Sequence, residues 1–248
     1  MVTSIATLLV CAVQQVEPSK PDRSGEAYLK EVFKDMGARR NLSCTVVRYE
    51  REHWDDVVAE QSWHELSLKE PGVFRVQYTD CGGDGYRMTC DGKTLVKDSL
   101  GDSVTLADKP SGFMLFANEF NFSVPNLFKL FDGEQALEKI VSKSDPIVVT
   151  DVGQGQRVVT FNGVQIGESR LTIREENGAK LVVRWDVDTS KSAASSGQQF
   201  FFRGMPLLSE VAIKWQTVKS FHKGTFDTTP PAGVTVIDNR KSKSSLQR

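Results

Sequence analysis

The stretch Gln61–Ser99 constrains the fold more than any other part of the chain. β-like runs at Ser62–Lys69, Val73–Thr79, Tyr86–Cys90 and Lys93–Lys97 follow one another with almost nothing between them. The breaks are Glu70-Pro71-Gly72, Cys81-Gly82-Gly83-Asp84-Gly85 and Asp91-Gly92. Asp-Gly between two such runs is a strong hairpin signal, because a tight primed turn needs positive φ. Within the runs, apolar and polar residues alternate. Phe74, Val76 and Tyr78 oppose Val73, Arg75 and Gln77; Tyr86 and Met88 oppose Arg87 and Thr89; Leu66 and Leu68 share a face with His64 and Glu70. A period of two predicts an antiparallel meander with one apolar and one wet face. The rest of the chain either covers the apolar face or extends the sheet.

Further strand signals stand at Ser43–Arg51 and Ser103–Ala107, then at Pro146–Val152, Arg157–Asn162, Arg170–Glu175, Lys180–Val187, Gln198–Arg203 and Leu208–Lys219. In two of them Leu181, Val183, Trp185, Val187 and Val211, Ile213, Trp215, Thr217 mark one face by simple alternation. Helical signals are fewer. Ser24–Met36 has a capping serine, a following Gly37 and an apolar stripe of Leu29, Val32, Phe33 and Met36 at helical spacing. Ser111–Ser144 concentrates Phe113, Met114, Leu115, Phe116, Phe120, Phe122, Leu127, Phe128, Leu130 and Phe131. Ser123 and Pro125 mark a helix start there, and Gly133 separates it from a second stripe of Ala136, Leu137, Ile140 and Val141. So many large apolar groups cannot all face water. They form either ordinary core or a lid over a cavity for an apolar ligand, for which a Phe- and Met-rich lining is well suited. The expected fold class is mainly β with helices (α+β), one large antiparallel sheet of about ten or eleven strands wrapped around helices.

The 248 residues suffice for one large core, and the 39% apolar and 25% charged composition is that of an ordinary globular protein. A formal net charge of −1 offers no footprint for nucleic acid. Met1–Val13 is almost entirely small or apolar, too short to span a bilayer, and fits the core of an export signal ending near Ala12. Leu8-Leu9-Val10-Cys11 also stands near a lipid-modification box, and a retained native N-terminus is the third reading. The expected division is a leader at 1–17, one domain at 18–240 and a basic tail at 241–248. With Cys11 in the leader, Cys44, Cys81 and Cys90 remain, an odd number with no assignable pair.

Catalytic signatures are missing from the sequence. His53, His64 and His222 have no metal-ligand spacing, and neither C-x-x-C nor G-x-S-x-G occurs. Gly82-Gly83-Asp84-Gly85 lacks the lysine of a phosphate loop and reads as a turn; Asp186-Val187-Asp188-Thr189 lacks the glycine and glutamate of a calcium loop. The sequence thus predicts a protein that is not an enzyme, with no catalytic residues, no metal and no cofactor.

Three segments resemble one family. The ending Phe226-Asp227-Thr228-Thr229-Pro230-Pro231-Ala232-Gly233-Val234 is similar to the Phe-x-x-x-Pro-Pro-x-Gly-Val ending of periplasmic outer-membrane lipoprotein carriers, the LolA-like group. Lys69-Glu70-Pro71-Gly72-Val73-Phe74 resembles that family's Lys-Arg-Pro-x-x-Phe junction, and Asp91-Gly92-Lys93-Thr94 its Asp-Gly-Lys-Thr hairpin. The resemblance runs from about Ser24 to Arg240. It implies an open antiparallel β half-barrel around a helical plug or lid, and binding of lipoprotein acyl chains or another lipid in the periplasm or cell envelope. Envelope membrane proteins are implied as partners, and a monomer is expected. The cavity face would be Leu66, Leu68, Phe74, Val76, Tyr78 and Met88, and the lid Phe113, Met114, Phe116, Leu127, Phe128 and Phe131. Glu70 departs from the family's basic residue; it either reverses the charge at the cavity mouth or turns out to solvent. Besides a carrier, the same fold admits an envelope lipid or lipoprotein sensor, or a hydrolase working through carboxylates at the mouth.

Overall fold

The computed structural model describes residues 25–52, 58–99, 101, 103–113, 124–142, 145–164, 167–176, 178–188 and 206–240. The leader, the tail, the strand expected at Gln198–Arg203, and Met114 and Phe116 lie outside them.

The meander forms as the alternation requires. Strands β1 (Leu42–Glu52), β2 (Val58–Glu70), β3 (Val73–Asp80), β4 (Gly85–Asp91), β5 (Thr94–Asp98) and β6 (Ser103–Asp108) pair in sequence order. Register sets Leu66 opposite Val76 and Leu68 opposite Phe74, while Val76 faces Met88 and Phe74 faces Cys90. One face of β2–β4 is therefore apolar where these residues meet. The β3–β4 and β4–β5 turns are each closed by an aspartate of their own. Asp80 Oδ1 accepts the Gly82 and Asp84 N–H groups, and Asp91 Oδ1 those of Lys93 and Thr94.

The second half adds β7 (Val148–Gly153), β8 (Gln156–Gly163), β9 (Gly167–Glu176), β10 (Ala179–Asp188) and β11 (Pro206–Thr217). β11 pairs with β1 and, with β12 (Thr235–Asp238) at the end, joins the halves among the described residues into one twelve-stranded sheet in the order β12-β6-β5-β4-β3-β2-β1-β11-β10-β9-β8-β7. The sheet is open, with β12 and β7 as its edges. β12 (Thr235–Asp238) pairs parallel to β6, the exception in an otherwise antiparallel sheet.

Bulges in β11 and β10 shift the alternation of those two strands. Thr45 pairs with Lys214 but Val46 with Ala212, so Ile213 is the extra residue and stands 60% exposed, while Leu208, Glu210 and Ala212 take the covered side. Val183 is skipped in the same way against β9, so Val182 rather than Val183 is fully buried. Val183 and Ile213 thus leave the face expected from unbroken alternation, whereas Leu181, Trp185, Val187 and Trp215 keep it against the core.

Helix α1 (Gly25–Gly37) buries Leu29, Val32, Phe33 and Met36. After it in the helical layer come α2 (Asn126–Lys129), a 3₁₀ turn at Leu130–Asp132 and α3 (Glu134–Ile140). Their buried residues, including Leu127, Phe128, Leu130, Ala136 and Ile140, form one cluster with Leu66, Phe74, Val76, Met88, Phe161 and Trp185 of the sheet. Each large side chain so enclosed contributes about 1.5–3 kcal/mol. A smaller cluster of Val96, Val104 and Leu106 lies across the sheet from Leu95 and Ala107, and Val234 of the C-terminal segment packs against it. That segment leaves β11 with Val218 donating its N–H to Asn41 and ends with Asn239 donating to Leu106. It is a strap from mid-sheet to the β6 edge.

Candidate functional site

A cavity of about 350 Å³ opens where four segments meet: the end of α1, the β2–β3 turn, the chain after β6 and the 3₁₀–α3 junction. Leu68, Phe74, Phe113 and Phe131 form its floor; Lys34, Pro71, Gly72, Lys109, Ser111, Asp132 and Glu134 belong to its mouth. Its size is at the low end of the roughly 300–1,000 Å³ of small-molecule pockets.

The local sequence explains the opening. Gly37 ends α1 against Gly133, which has φ +61, and a Cβ on Gly37 would stand 2.6 Å from the Gly133 Cα. Two glycines thus let the helix end and the 3₁₀–α3 junction touch backbone to backbone. Asp132 then reaches across, and its Oδ1 accepts the Phe113 N–H at 2.7 Å. This pins Phe113 within the floor, with its ring centroid 4.8 Å from Phe74 and 6.0 Å from Phe131.

Leu68, Phe74, Phe113 and Phe131 meet at the cavity. Leu66, Val76, Met88, Leu127 and Phe128 are instead filled core, each 1% exposed or less. Tyr78 is half-buried, stacked on Tyr86 at 4.9 Å and 5.1 Å from the His64 ring. Glu70 is exposed at the end of β2 and is not among the lining residues, because pairing slips between Leu68 and Glu70 and the alternation stops there.

A second feature, absent from the sequence reading, lies beneath α2. Glu210 of β11 is 1% exposed. Its two carboxylate oxygens accept the N–H groups of Asn126 and Leu127 at 2.9 and 2.8 Å. Burial pushes its carboxyl above the usual range, opposed by Arg48, these two hydrogen bonds and Lys129. Lys129 donates to Asn126 Oδ1 at 2.8 Å, and burial pulls its ammonium down. Arg48 pairs with Glu50. His64 is fully enclosed, with Nε2 3.1 Å from Ser62 Oγ and Nδ1 without a hydrogen-bond partner among the described residues. Burial, reinforced by the Arg48 charge, lowers it from 6.5 to about 3, so it is neutral at physiological pH. Glu210 was illegible because unbroken alternation on Val211, Ile213 and Trp215 puts it on the wet side. The mouth lysines were illegible because the cavity is a meeting of segments far apart in sequence.

Among the described residues, no group of three or more His, Cys, Asp and Glu side chains is placed to hold a metal ion, and no helix is long and apolar enough to cross a membrane. Cys44 and Cys90 are buried thiols and Cys81 an exposed one, all free.

No protein-family model matches the sequence, and no curated protein matches it. Among solved structures the chain is similar to LprF from Mycobacterium bovis, at 12% identity and TM-score 0.44, over 84% of this chain and 99% of that one. It is similar to MucB at 11% identity and TM-score 0.47, over 87% of this chain and 66% of that one. It is also similar to a DUF1329 family protein from Desulfovibrio piger at 10% identity and TM-score 0.31, over 85% of this chain and 98% of that one.

Proposed function

We propose that this protein is a non-enzymatic carrier that holds an acyl chain of a lipid or lipoprotein, working in the bacterial cell envelope. The observation that carries the reading is the cavity between helical layer and sheet, with Leu68, Phe74, Phe113 and Phe131 as its floor. An acyl chain exposed to water costs about 0.8 kcal/mol per CH₂, so moving one between membranes requires shelter of this kind. The resemblance of the strap ending and of two turns to lipoprotein carriers supports the same reading. Lipid extraction and mass spectrometry of the natively purified protein test it, beside Ser111→Trp. Ser111 is exposed at the mouth, so the indole fills the opening without entering the core. Wild type should carry a stoichiometric acyl lipid and Ser111→Trp much less. Equal lipid content in both, or none in wild type, would contradict the reading.

A further inference from the structure

We infer that the cavity selects amphiphiles with an anionic headgroup, whose phosphate or carboxylate sits between Lys34 and Lys109 while the chain lies on the phenylalanine floor. The inference rests on the acyl-chain reading above and adds the class of ligand.

Four charged side chains line the cavity: Lys34, Lys109, Asp132 and Glu134. The two carboxylates are engaged within the protein. Asp132 Oδ1 holds the Phe113 N–H, and Glu134 stands 3.9 Å from Lys30 Nζ. The two ammonium groups are not. Neither Lys34 nor Lys109 has a side-chain hydrogen bond or a carboxylate within 4.0 Å among the described residues. Glu31, one turn before Lys34 on α1, is already held by Lys180 at 2.8 Å. Lys109 lies folded over the β2–β3 turn. A Cβ at Gly72 would meet its Cε at 2.3 Å and its Nζ at 2.5 Å. Gly72, at φ +84, therefore clears the space in which that ammonium reaches the mouth. Two cations without partners above an apolar floor match a ligand with one negative end and one greasy end. Lysine acts there as a point charge, which suits a phosphate or a carboxylate alike.

The test is calorimetric titration below the micelle concentration, in 50 mM and 500 mM salt, with four probes. Palmitoyl lysophosphatidate, palmitate and monopalmitoylglycerol share one chain and differ in headgroup; inorganic phosphate has no chain. Wild type should bind both anionic amphiphiles roughly five- to tenfold more tightly than the glycerol ester in low salt. The preference should shrink in high salt, and phosphate alone should not bind. Lys34→Gln/Lys109→Gln should bring the anionic ligands to the level of the neutral one and leave the neutral one unchanged. Lysophosphatidate against palmitate then tells whether phosphate or carboxylate is preferred. Equal affinity for charged and neutral amphiphiles in wild type, or a preference that survives the double variant, overturns the inference and leaves the acyl-chain reading standing. No binding of any amphiphile overturns both.

Discussion

Thr228 donates its hydroxyl to Asp91 Oδ2 at 2.9 Å, joining positions 137 residues apart. Asp91 closes the β4–β5 turn and Thr228 begins the run that ends in Pro230-Pro231-Ala232-Gly233-Val234. Two segments that each resemble the carrier family in sequence are thus in contact in space. One carboxylate both forms the hairpin and ties down the strap. Partial burial of Asp91 works against its ionised form, but the bonds from Thr94, Lys93 and Thr228 prevail and hold it below the usual carboxylate range.

Asp91→Ala should therefore destabilise the protein by about 1–2 kcal/mol, the sum of lost turn and strap bonds. Thr228→Val should cost less, about 0.5–1 kcal/mol. The more diagnostic readout is hydrogen exchange. Amides of Thr235–Asp238 should exchange faster in both variants, while those of β2 and β3 stay protected. Unchanged exchange in β12 would show that Val234 and the β6 pairing hold the strap unaided.

Glu210 should be intolerant of truncation. Glu210→Ala leaves two N–H groups of α2 and the Lys129 charge without their buried partner, at about 3–5 kcal/mol. Glu210→Gln keeps one acceptor and should cost less. The folded-state pKa is raised above 4.5, so the folded protein holds this proton more tightly than the unfolded chain. Its contribution is then fully present below pH 4.5 and falls away as pH rises through the raised value. Chemical denaturation across pH should show that slope in wild type and its loss in Glu210→Gln.

His64 works in the opposite sense. Its pKa of about 3 in the fold lies below the ordinary 6.5, so the unfolded chain binds the extra proton. Stability from this residue is complete above pH 6.5 and is lost as pH falls toward 3, on the order of 3 kcal/mol between pH 7 and pH 4. His64→Phe should be markedly less acid-labile than wild type in the same denaturation series. A variant as acid-labile as wild type would move the cause elsewhere.

Asp132→Ala should release Phe113 from its position over Phe74. Affinity for a palmitoyl ligand should fall severalfold, while the unfolding free energy changes by about 1–2 kcal/mol, the scale of the partly buried hydrogen bond to the Phe113 N–H. A large loss of stability with unchanged affinity would mean that Asp132 supports the fold rather than the cavity.

What the sequence disclosed follows its local periodicities. Leu66, Leu68, Phe74, Val76 and Met88 fall on one face because nothing interrupts the pleat between them. α1 is legible because four apolar residues repeat at helical spacing before Gly37. In β10 and β11 the expected face breaks at one bulged residue each, Val183 and Ile213, because periodicity carries no sign of a bulge, while Leu181, Trp185, Val187 and Trp215 do pack on the core. The parallel pairing of β12 with β6 joins segments about 130 residues apart, which no local pattern encodes. Of the expected cavity face, Leu68 and Phe74 line the opening, whereas Leu66, Val76 and Met88 are packed core away from the β2–β3 turn where it lies.

The central claim is that this opening is where an acyl chain lies. A palmitate analogue with a photoreactive group at the end of its chain tests it directly, through cross-linking to the purified protein and peptide mapping by mass spectrometry. Adducts are expected on Leu68, Phe74, Phe113 and Phe131, in competition with unlabelled palmitate. Adducts confined to the exposed edge residues Val236 and Ile237, or insensitive to competitor, would contradict it.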